Sequence, residues 1–89
     1  NISVRPIIEE AKKEGGEVFI GQDYLTGLKG DKLVLAAKVP QEEVQIELKG
    51  KTVRLRAKDW KKVIDLPDIF SKVTNIRHKN SVLFLELAK

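Results

Sequence analysis

From Val18 onward, apolar and polar residues alternate with a period close to two, in short runs separated by turn residues. That pattern predicts half-buried β-strands. The stretch Pro6 to Gly15 departs from it. There Ile7, Ile8 and Ala11 make an apolar stripe at helical spacing, Pro6 suits a first turn, and Glu9 pairs with Lys13 one turn on. Gly15-Gly16 is a stop signal. A short helix is expected over 6–15. It is too short to hold itself together, so it must pack on the rest of the chain or on a partner. The chain thus divides into an N-terminal helical segment, 1–16, and a β domain, 17–89.

Within the β domain, Val18-Phe19-Ile20, Tyr24 to Leu28 and Leu33 to Val39 are the first strand candidates. Gly30-Asp31 joins the second and third as a type II′ turn, with glycine at the first central position. Pro40, which lacks an N–H for a ladder, ends the third.

The next hairpin is the best specified. A two-residue turn at Gly50-Lys51 sets Leu48 opposite Val53, Ile46 opposite Leu55 and Val44 opposite Ala57, all on one face. The other face pairs Glu47 with Arg54 and Gln45 with Arg56. Each such cross-strand pair is worth about 0.2–1 kcal/mol, and a slip of one residue would drive charges into the core.

Trp60 to Leu66 is a further strand, stopped by Pro67. Asp68 to Lys72 is expected to be a connecting turn, with room for one turn of helix capped by Asp68. A last hairpin turns at Asn80-Ser81, setting His78 against Leu83, Ile76 against Leu85 and Thr74 against Leu87 on the inner face. The expected architecture is all-β, a sandwich of about seven antiparallel strands with a helix only at its margin.

Composition narrows the classes. Eighty-nine residues make one domain. Hydrophobic residues at 42% can fill one core, while charged residues reach 34%, above the roughly 25% norm. Abundant lysine with no Cys or Met fits a thermophile's usage. The absence of cysteine excludes disulfides and thiolate metal sites and leaves the cytoplasm as the default compartment. The net charge of +4 comes from interleaved signs rather than a basic stripe, which argues against a nucleic-acid partner. Neither a membrane-length apolar run nor a signal-peptide pattern is present. The chain opens with Asn1 rather than Met, which leaves open that these residues belong to a longer protein.

Little in the chain suggests catalysis. There is one histidine, and Ser3, Ser71 and Ser81 all fall in terminal or turn positions. A nucleophile, a base and an orienting group are not brought together by any spacing. His78, opposite Leu83, reads as a half-buried strand histidine, and no His/Asp/Glu cluster has metal-ligand spacing. Asp65 and Asp68 bracket Pro67 as corner residues, and no glycine pattern resembles a phosphate loop. No enzyme activity, metal or cofactor is expected. Apolar side chains on the outward register are more informative. Phe84 falls opposite Arg77, away from Leu83 and Leu85, and Val82 shares that face. Covered by the N-terminal helix they are core; uncovered they form a patch that marks an interaction surface. Trp60 has the same two readings, an anchor plugging the sandwich end or an exposed contact.

Four motifs in order carry a family resemblance over Tyr24 to Lys89: Ala37-Lys38-Val39-Pro40, the Val44 to Ala57 hairpin, Ile64-Asp65-Leu66-Pro67, and Lys79-Asn80-Ser81-Val82-Leu83. Together they resemble the small heat-shock protein (HSP20, α-crystallin) domain, an immunoglobulin-type β-sandwich. The family's turn glycine is Ser81 here, Ala57 reaches Trp60 with no room for a long exchanged loop, and no I-x-I tail follows Lys89. The short connection is similar to the p23/CS co-chaperones and to HSP20-like domains of arsenite-pump-type ATPases, and without the loop and tail the family's domain-swapped dimer and large shells are not expected.

The resemblance implies a groove between two edge strands, lined here by Val44, Ile46, Leu48, Ile76 and His78. It also implies a chaperone-like module that binds unfolded or partner polypeptide without ATP, with room for a homodimer and no nucleic-acid or membrane partner. The alternative is an accessory domain of a larger protein, such as an ATPase, with a structural docking role. A small nucleic-acid-binding barrel is the third reading, and salt-dependent oligonucleotide binding would be its sign.

Overall fold

A computed structural model describes residues 16–89 of the chain. The helix expected over 6–15, and the segment 1–16 assigned to it, lie outside the described residues except for Gly16. Eight strands follow: β1 (Glu17–Gly21), β2 (Tyr24–Lys29), β3 (Lys32–Lys38), β4 (Gln45–Lys49), β5 (Thr52–Ala57), β6 (Trp60–Asp65), β7 (Lys72–Lys79) and β8 (Val82–Ala88). They form two antiparallel sheets, one ordered β1-β2-β3-β8-β7 and the other β4-β5-β6. Among the described residues there is no helix. The strand count is therefore eight, not about seven.

Two-residue turns join five of the strand pairs, and their backbones match their residues. Gly30 and Gly50 each hold φ at 56° while the residue after them does not turn positive, as a II′ turn requires. Asn80 and Ser81 both take positive φ, 53° and 64°, which is the type I′ geometry that follows the twist of the strands. The Gly50-Lys51 hairpin has the expected register, with Leu48 opposite Val53, Ile46 opposite Leu55, Glu47 opposite Arg54 and Gln45 opposite Arg56. Val44 lies just before β4 and outside the ladder. Arg54 and Glu47 approach to 3.7 Å across the outer face, an exposed pair worth well under about 1 kcal/mol.

One pairing differs from expectation. At the start of β7 a bulge leaves Thr74 out of the ladder, so that Val73, not Thr74, stands opposite Leu87. Val73 thereby packs against the core. The displaced Thr74 hydroxyl turns to Glu86, 3.1 Å from its carbonyl and 2.8 Å from its Oε1. The bulge exchanges a polar side chain for an apolar one at an inward position, and a local hydrogen bond satisfies the hydroxyl it turns out. The segment after Pro67 also departs from expectation. Asp68 Oδ1 accepts from the Ile69 N–H at 2.8 Å, but no helical turn follows. Instead the chain sends Phe70 into the core, 2% exposed.

The inner faces of the two sheets share one apolar core. Leu33, Leu35, Leu83, Leu85 and Leu87 come from the larger sheet, and Val53, Leu55 and Ile64 from the smaller. Val39, Leu66 and Phe70 close it from the connections. Burying each such side chain contributes about 1.5–3 kcal/mol. Three backbone bonds tie the connections down: Val39 N–H to the Ser81 carbonyl and Leu66 N–H to the Lys51 carbonyl, both 2.8 Å, and Ser71 N–H to the Ala88 carbonyl, 3.0 Å.

Candidate functional site

The site begins with the relative size of the sheets. A three-stranded sheet facing a five-stranded one cannot cover it to both edges, so outer strands overhang. On β6, Lys62 Nζ sits 5.9 Å from the centre of the Tyr24 ring on β2, within cation–π range. With β6 on the β2 side, the order β4-β5-β6 sets β4 toward β8 and β7. The connection into β4 agrees. Val39 is held by Ser81 in the β7–β8 turn, and its carbonyl lies 2.8 Å from His78 Nε2 on β7. A carbonyl can only accept, so this contact needs the proton on Nε2. The chain therefore crosses from the larger sheet to the smaller beside β7, and two edge strands, β4 and β7, flank one margin of the core.

Val44, Ile46 and Leu48 are half-buried and pack against the core from the smaller sheet. Across the margin, Ile76 is 56% exposed although its ladder partner Leu85 is 1% exposed. His78 is half-buried, with its Nε2 held 2.8 Å from the Val39 carbonyl. Ile46 and Leu48 thus fall on β4, Ile76 and His78 on β7, and Val44 just before β4, with different roles. Val44, Ile46 and Leu48 are its walls, Ile76 is its exposed apolar contact, and His78 is a strut at one end.

Val82 and Phe84 do lie on the outer face of the larger sheet. Both are half-buried, in the face that also carries Leu25 at 6% and Ala36 at 2% exposure. The exposed member of that apolar row is Ile20, at 77% on the edge strand β1. Trp60 is half-buried and packs on the core, as the plug reading has it. It borders a hollow with Asp23, Lys38, Pro40, Lys62 and Ser81. Two exposed apolar residues, Val63 on the otherwise polar outer face of the smaller sheet and Ile69 in the Pro67 corner, were not singled out by the sequence. Ile69 lies in an irregular stretch where no periodicity exists to read.

Few groups here are electrostatically perturbed. Lys89 Nζ lies 2.6 Å from Asp68 Oδ2, and this hydrogen bond, with that from Ile69 N–H, holds the Asp68 carboxyl below the usual carboxylate range. The same contact pushes the Lys89 amine up. Both are solvent-exposed, and they link the Pro67 corner to the residue that follows β8. Among the described residues no three His, Cys, Asp or Glu side chains converge as a metal site, and no helix is long and apolar enough to cross a membrane. Among the described residues β4 and β7 each leave one strand edge unpaired beside apolar side chains, which suits an extended polypeptide. Comparison with family models, curated proteins and solved structures finds no match for this chain.

Proposed function

We propose that this chain is an HSP20-like, immunoglobulin-type sandwich module that binds unfolded or extended polypeptide, without ATP, along the groove between the β4 and β7 edges. The observation that carries the reading is the exposure of Ile76 on an edge strand, directly across the ladder from the buried Leu85. A peptide strand added to β7 would pair with its free backbone edge and cover Ile76 while touching Ile46 and Leu48 opposite. Such contacts are shallow and not strongly sequence-specific, as binding of unfolded segments requires. The role is one of holding rather than of catalysis. Val82 and Phe84, half-buried on the outer face, are secondary to it.

Suppression of heat aggregation of an unrelated model client tests the proposal. The parent chain is compared with Ile76→Asp and with the Ile46→Asp, Ile76→Asp double variant, each checked for folding by circular dichroism. The single variant matters because Ile46 also packs on the core. Suppression by the parent that is lost in a folded Ile76→Asp chain supports the groove. Absence of suppression at molar excess overturns it and favours the alternative, an accessory domain of a larger protein.

A further inference from the structure

The two sheets leave four edges among the described residues: β1 and β7 on the larger, β4 and β6 on the smaller. Natural sheets guard such edges with charge. Three of these carry charges along their length. β7 carries Lys72, Arg77 and Lys79 with no acid; β4 carries Glu47 at its centre; β6 carries Lys61, Lys62 and Asp65. β1 is different. After Glu17 it runs Val18-Phe19-Ile20-Gly21 without a charge, and Ile20 and Phe19 are 77% and 39% exposed. We infer that β1 pairs with β1 of a second copy of this chain, joining two five-stranded sheets edge to edge.

The register follows from symmetry. A two-fold axis perpendicular to the sheet keeps each residue on its own face, so only residues of like orientation can meet. The one register that uses all five residues puts the axis through Phe19. Val18 then meets the partner's Ile20, and Glu17 meets the partner's Gly21, so no like charges oppose. The outer apolar row Ala36, Leu25, Ile20 continues across the junction into the partner's Val18. On the inner side Phe19 meets the partner's Phe19. The same operation on β4, centred on its middle residue, would set Glu47 against its own copy. On β7 it would bring together two strands with only basic charges. Self-complementarity therefore selects β1 over both, and it selects a second copy over an unrelated strand. Because β1 and β7 are opposite edges of one sheet, this pairing leaves the Ile76 margin open. The inference does not depend on polypeptide binding there.

Five residues bury little area, so the association is concentration-dependent. Sedimentation velocity on the parent chain should show the mass doubling as concentration rises, and Ile20→Lys and Phe19→Lys should stay monomeric with unchanged circular dichroism. Since the chain has no cysteine, a single one reports its own neighbours. Residues directly opposite in a ladder lie about 4.5–5.5 Å apart at Cα, within disulfide range. Phe19→Cys should form a covalent dimer on mild oxidation while Val63→Cys, exposed on the β6 edge, should not. A parent chain that remains monomeric at every concentration overturns the inference. So does a Val63→Cys chain that cross-links where Phe19→Cys does not, which would move the contact to β6.

Discussion

Ile76 and Leu85 face each other across the β7–β8 ladder, yet Leu85 is 1% exposed and Ile76 56%. Both point toward the smaller sheet, but only β8 lies beneath it. Their substitutions should differ accordingly. Leu85→Ala empties part of the packed core and should cost about 2–5 kcal/mol. Ile76→Ala removes a side chain already half in water and should cost less than about 1 kcal/mol. Denaturant unfolding of the two variants measures the contrast. Equal losses would mean that β7 is covered in solution.

Thr26 is 1% exposed on the inner face between Phe19 and Leu35, and its hydroxyl has no hydrogen-bond partner among the described residues. An unpaired buried hydroxyl costs free energy that an isosteric apolar side chain does not. Thr26→Val keeps the β-branched shape a strand favours and should stabilise by about 1 kcal/mol. For a domain of this size that is a rise in Tm of roughly 4–8 °C. A fall in Tm would show that the hydroxyl is bonded after all.

Ser81 holds φ at 64° as the second turn residue of the β7–β8 hairpin. A Cβ in this region costs about 1–2 kcal/mol, and glycine gives part of that back through the greater freedom of its unfolded chain. The net expectation for Ser81→Gly is a gain of about 0.5–1 kcal/mol. Thermal melts of the two chains would detect it. No gain would mean that the strands, not the turn, hold the hairpin.

The Asp68–Lys89 contact gives a pH signature. The Asp68 carboxyl is held low in the folded chain by the Lys89 hydrogen bond. Its contribution to stability is therefore complete above the unfolded value, about 3.9, and is lost as pH falls through the lower folded value. The Lys89 amine is pushed up by the same bond. Its contribution is complete below about 10.4 and disappears as pH rises through the raised value. Asp68→Asn should thus melt slightly below the parent between those limits, and the difference should close in acid. A difference that persists in strong acid would point to the Ile69 cap rather than the charge.

The strands and three of their six pairings were legible in the chain because β-structure of this kind is written locally. Alternation sets the faces, turn residues set the loop lengths, and a two-residue loop then dictates the pairs of its hairpin as far as any bulge. The Gly50-Lys51 hairpin is such a case: one turn places Leu48, Ile46, Glu47 and Gln45 against their partners. Whatever depends on residues far apart in sequence was not legible. Nothing local distinguishes Ile76 from Leu85, since both are apolar on the same face; their exposures diverge because three strands cannot roof five. The bulge at Thr74 and the burial of Phe70 were settled by fit to a core assembled from distant segments. His78 was readable as a strand histidine, but its bond to Val39 joins residues far apart in sequence and arises only when β3, β8 and β7 meet in one sheet. The residues by themselves determined which strands form and how neighbours pair. Tertiary packing decided which edges stay open, because coverage is a property of two sheets together and of neither alone.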